Sequence, residues 1–120
     1  MLLSDMIRLT GASVPQAFGK YFDGDASCVW GGVMRELGMT QADVGRLVCL
    51  SLRLDGRAYS VGAYWENVSL YRIPQLRWHW PWAFQTRTMT GYTIADWMVF
   101  LNDGSRWSRT RIADWVAASV

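Results

Sequence analysis

A chain of 120 residues has room for one hydrophobic core and not two, and a composition 51% hydrophobic and only 18% charged, with no low-complexity tract, excludes a disordered chain. The net charge of +2 is too small to argue nucleic-acid binding by itself. The unusual feature is tryptophan, eight of 120 residues; that is more large apolar area than a domain this small hides easily, so some indoles are expected to face a partner.

Residues 2 to 10 predict a short helix on Leu2, Leu3, Met6, Ile7 and Leu9, ended by Gly11. Asp5 and Arg8 interrupt the apolar core that a signal peptide would need, and no stretch approaches the roughly 18 apolar residues of a membrane span. With Cys28 and Cys49 as the only cysteines, the expectation is a cytoplasmic protein with reduced thiols. The sequon Asn67-Val68-Ser69 then carries no meaning.

Pro15 opens a second short segment with Ala17, Phe18, Tyr21 and Phe22, followed by a loop at Asp23-Gly24-Asp25. The loop has carboxylates but lacks the pattern of later ligands of a calcium site. From Ser27, read as an N-cap, CVWGGVMRELG predicts a helix closed at Gly38. Gly31 and Gly32 each cost about 1 kcal/mol inside a helix relative to alanine, so another element is expected to pack close against them. Cys28 at that helix start admits a second reading as an activated thiol. A catalytic thiol needs a base, however, and the single histidine, His79, sits in a different setting. A small buried residue is the preferred reading.

Thr40 starts a further helix, with Asp43 at the third position as an acidic form of the capping box. MTQADVGRLV resembles the opening of a helix-turn-helix, although a recognition helix exposing Gln41, Asp43 and Arg46 is thin and partly acidic for reading DNA. Residues 48 to 73 then change period. CLSLRL alternates, Asp55-Gly56 is a hairpin signal, and RAYSVGAYW continues with strand formers, so a β-hairpin is expected, extended by NVSLYRI as a third strand.

In QLRWHWPWAF, Trp78, Trp80 and Trp82 alternate, so an extended chain would place all three indoles on one face. That ladder is either a lid on the core or an exposed platform. With Arg72, Arg77 and Arg87 around it, the platform has the mixture that stacks on nucleobases and that is enriched at protein hot spots. His79 with two distant cysteines does not make a zinc site.

The C-terminal stretch, Gly91 to Val120, predicts two amphipathic helices joined by a turn. Thr93 caps the first, which carries Ile94, Trp97, Met98 and Leu101; Ser108 caps the second, which carries Ile112, Trp115 and Val116 behind Trp107. Ile-Ala-Asp-Trp occurs at 94 to 97 and again at 112 to 115, a repeat short enough to be coincidence. Arg109 and Arg111 occupy the first turn of the second helix, where the macrodipole prefers acids. Either Asp114 pairs with Arg111 and Asp103 neutralises the turn, or Arg106, Arg109 and Arg111 form a basic knuckle for an acidic partner. From Ser69 onward six arginines face three aspartates, a modest basic bias.

Leu101-Asn102-Asp103, Trp107-Ser108-Arg109 and Ile112-Ala113-Asp114-Trp115-Val116, together with Gln16 to Phe22 and the Ser27-Cys28 pair, are similar to segments of small uncharacterised proteins of bacteriophage and prophage genomes. The middle departs from them in having no cysteine after Cys49. The resemblance implies a phage-associated context and a shared fold, and it brings no activity or site residues.

No phosphate loop, dinucleotide fingerprint or HExxH is present, and the only glutamates are Glu36 and Glu66. The combined expectation is a single α+β domain over residues 1 to 120, with short helices, a β-hairpin or small antiparallel sheet, and a C-terminal helical hairpin. It is expected to be a non-enzymatic protein without cofactor or metal. It would bind a host protein, as an inhibitor of a defence or transcription complex, through Trp78, Trp80, Trp82, Arg72 and Arg77. Single-stranded nucleic acid on the same surface, and a homodimer through the Trp segment, are the alternatives.

Overall fold

The computed structural model describes residues 1–44, 70 and 73–120. Apart from Leu70 and Ile73, the hairpin expected over 48–73 lies outside the described residues, as do Cys49, Arg72 and the second half of the helix-turn-helix reading.

The fold is α+β. Helix α1 spans Leu3–Gly11, the two-residue strands β1 and β2 span Phe22–Asp23 and Ala26–Ser27, and α2 spans Val29–Glu36. After the middle segment come α3, Pro74–His79, and α4, Pro81–Gln85. The C-terminal pair is α5, Ile94–Asp103, and α6, Arg109–Ala118.

Each long helix exists because one stripe is apolar and is covered. In α1 the buried residues Leu3, Met6, Ile7 and Thr10 recur at helical spacing, and this face packs on α6 and α2. Helix α5 lies against α2, α4 and α6, with Ile94, Met98 and Leu101 buried as the spacing predicts. At the centre stands Trp30, fully enclosed, its indole N–H donating to the Ala95 carbonyl at 3.3 Å and its ring centroid 5.6 Å from that of Phe84.

The caps follow the sequence with one change. Thr93 and Asp96 form a complete capping box at α5, Ser108 accepts from the Arg111 amide at α6, and Thr40 and Asp43 exchange the expected pair of bonds. At α2 the cap is Cys28 rather than Ser27; its Sγ accepts from the Gly31 amide at 3.3 Å. Ser27 is instead the last residue of β2, paired antiparallel with Phe22 and bridged to Gln16, which lies in extended chain after Pro15.

The two helical glycines are explained by what crosses them. A Cβ on Gly31 would run into the backbone carbonyl of Tyr21, and one on Gly32 would come within 2.8 Å of the Thr10 side chain. The residue before β1 and helix α1 therefore both sit directly on the α2 backbone.

Candidate functional site

The Trp segment is helical, which overturns the expected ladder. Pro74 and Pro81 each stand at the start of a short helix, where a missing N–H and a fixed φ favour proline, and Trp80 is the junction between the two. A helical path sends side chains at alternate positions in different directions. Trp78 is accordingly 86% exposed, Trp80 is only 4% exposed, and Trp82 is half-buried against the core. The Trp80 indole N–H donates to the Met1 carbonyl at 3.2 Å. Trp80 is thus a core residue and not part of a binding surface. Of the expected surface, Trp78 and Arg77 remain together on the exposed side of α3. They border a shallow depression of about 290 Å³ also lined by Pro74, Pro81, Phe84 and Gln85.

The expected basic knuckle divides. Arg109 points inward and is 4% exposed; it is the first residue of the buried stripe that continues through Ile112, Ala113 and Val116. Its Nη1 donates to the carbonyls of Thr10 and Val14 at 3.2 and 2.5 Å. Its Nη2 donates to the carbonyls of Pro15 and Ser27, at 2.8 and 2.6 Å, and to the Ser27 hydroxyl at 3.3 Å. No carboxylate comes within ion-pair distance among the described residues, and Nε has no partner there. Burial lowers the guanidinium pKa from its ordinary value. Arg109 is a clamp on the backbone and is withdrawn from any partner-binding role.

Arg106 and Arg111 remain outside. The Arg106 guanidinium carbon sits 4.8 Å from the ring centroid of Phe18, and that of Arg111 sits 3.8 Å from the ring centroid of Trp107. Asp114 does not pair with Arg111; it accepts from Arg8 at 2.8 Å instead, closing α6 onto α1. Asp103 does not neutralise either arginine, because its Oδ1 accepts from the Gly19 amide and from Asn102 Nδ2, at 2.9 and 2.6 Å.

Asn102 joins the same buried seam. Its Oδ1 accepts from Gln16 Nε2 at 2.9 Å and from the Val29 amide at 3.1 Å, and its Nδ2 donates to the Ala17 carbonyl at 3.0 Å. Gln16 Nε2 also donates to the Trp107 carbonyl at 2.8 Å. Residues 16–17, 27–29, 102–103 and 107–109 therefore meet in one polar seam.

Cys28 is buried beside this network, and desolvation pushes its thiol from 9.0 up to about 12. The adjoining cavity measures only about 20 Å³, room for a single water. A protonated, enclosed thiol does not act as a nucleophile at neutral pH. Among the described residues no group of His, Cys, Asp and Glu is arranged to hold a metal ion.

The aromatic supports Phe18 and Trp107 were not anticipated as site residues. For Trp107 the usable signal was Arg111 one helical turn further on; Phe18 and Arg106 lie far apart in sequence, and nothing local marked that pair. Comparison with protein-family models, with curated proteins and with solved structures finds no match.

Proposed function

We propose that the chain is a non-enzymatic, phage-type protein that works in the bacterial cytoplasm by binding a host protein, as an inhibitor of a defence or transcription complex, with Trp78 as the anchor. The observation that carries the reading is the isolation of Trp78. It is an indole 86% exposed on a short, proline-started helix whose neighbouring Trp80 and Trp82 are committed to the core. Tryptophan and arginine are the residues most enriched at binding hot spots, and a rigid helix holds them ready at small entropic cost. The phage context rests on the resemblance of the two ends of the chain. Among the described residues no helix is long and apolar enough to cross a membrane.

Single-stranded nucleic acid is the competing occupant. Its natural platform is a series of stacked aromatics along a groove, and the helical Trp segment offers one exposed indole where an extended one would offer three. The test is capture by an affinity-tagged chain from host lysate treated with nuclease, comparing wild type with Trp78→Ala and Arg77→Ala. A stoichiometric host protein, lost at least about tenfold with Trp78→Ala, is expected. Equal recovery with both variants removes the site. Nucleic acid that elutes with salt, with no protein, replaces the reading.

A further inference from the structure

We infer that the turn between α5 and α6 is a second interaction surface, built by Arg106 and Arg111 on their aromatic supports to bind an acidic protein segment. It goes beyond the Trp78 surface and stands whether or not Trp78 anchors a partner.

Two local features run against the fold's own interest at this turn. Arg106 takes φ 53°, the left-handed region, which strains a side chain that bears a Cβ, although glycine would adopt it freely. Arg111 sits in the first turn of α6 at the position where the amide bonds to Ser108 Oγ. A glutamate there would complete a capping box and suit the helix dipole, whereas a cation opposes it. Neither arginine has an ion-pair partner among the described residues. Each arginine gains an aromatic contact in return, but neither charge is neutralised, so ion pairing explains neither choice. Strain held at an exposed position directs attention to function.

The geometry supplies the chemistry. A guanidinium 3.8 Å from the centroid of Trp107, as in Arg111, lies on the ring face. Its N–H donors radiate in its own plane and are not used by the ring, so stacking fixes the fork and leaves it open to a carboxylate. Arg106 lies over the Phe18 ring at a longer 4.8 Å. Preorganised forks of this kind take planar anions in bidentate fashion. Two such forks suit two carboxylates of an Asp- or Glu-rich loop or helix end. They are too few for a nucleic-acid backbone, whose binding needs a row of phosphate contacts, and a net charge of +2 adds no long-range attraction to a polyanion.

The experiment titrates the full chain with a short Glu-rich peptide and, separately, with an oligothymidylate of equal charge, by calorimetry at low salt. Arg106→Gly and Arg111→Glu are compared with wild type, and Tm is recorded for each. The expected result is that the peptide binds wild type in preference to the oligonucleotide. Each variant then loses peptide affinity by about tenfold or more while its Tm holds or rises. Three results overturn the inference: no peptide binding to wild type, peptide binding that survives both substitutions, or tighter binding of the oligonucleotide that the same variants abolish. A fall in Tm with both variants would equally overturn it, by showing that the arginines serve the fold.

Discussion

The Arg109 guanidinium donates to both the carbonyl and the hydroxyl of Ser27, at 2.6 and 3.3 Å, joining the start of α6 to the residue before the α2 cap across 82 positions of sequence. The same group satisfies the carbonyls of Thr10, Val14 and Pro15. Arg109→Ala strips the carbonyls of Thr10 and Val14 of this donor, leaves those of Pro15 and Ser27 only their bonds from the Ser27 and Ala17 amides, and opens a void, so a loss of about 3–5 kcal/mol is expected. Arg109→Lys should recover only part of it, because one ammonium cannot reproduce a planar fork. Urea denaturation of the two variants checks both.

Trp78 and Trp80 should separate cleanly in stability. Trp80→Ala removes a buried indole and its bond to the Met1 carbonyl, with an expected loss of about 3–5 kcal/mol. Trp78→Ala, at an exposed position, should stay within about 0.5 kcal/mol of wild type. Equal losses would mean that the Trp segment is not helical.

The Cys28 thiol holds its proton to about 12 in the folded chain against 9.0 for an ordinary thiol. The folded state therefore binds the proton more tightly than the unfolded one. Its contribution is fully present below pH 9.0 and is lost as pH rises towards about 12. At pH 8 the Cys28 peptide should resist alkylation until denaturant unfolds the chain. Mass spectrometry of the alkylated digest measures this; rapid native labelling at Cys28 would contradict its enclosure.

Gly31→Ala ought to destabilise despite alanine's better helix propensity. The propensity gain is about 1 kcal/mol, but the new Cβ meets the Tyr21 backbone carbonyl, which belongs to the chain leading into α2 and has no flexible end to swing aside. A net loss of about 2 kcal/mol or more follows. Thermal unfolding of the variant reads it directly, and a raised Tm would contradict the close packing.

What was legible in the sequence was local. Thr93, Ser108 and Thr40 act as caps because their hydroxyls need only an amide three residues on. The apolar stripes of α1 and α5 follow from spacing alone. The small sheet of the α+β fold is present at Phe22–Ser27, a stretch in which only a loop was expected. The Trp ladder failed because alternation over five residues fits a strand, while the two prolines, each placed to start a helix, carried the decisive information. Arg109 was misread for a different reason. Its position in register with Ile112, Ala113 and Val116 marked it as inward-facing, but its partners are backbone carbonyls, which leave no trace in side-chain identity. Asp114 was matched to the nearest arginine in sequence, Arg111, when the fold brings Arg8 closer. Long-range polar pairing of this kind is set by tertiary packing and not by spacing.

The backbone clamp also has a consequence for the order of events during synthesis. The carbonyls of Pro15 and Ser27 find early partners in the Ser27 and Ala17 amides, but the Arg109 fork that reaches those of Thr10 and Val14 arrives 95 to 99 residues later. Until then water must hold the Thr10 and Val14 carbonyls. That corner of the early half is completed by a side chain made much later.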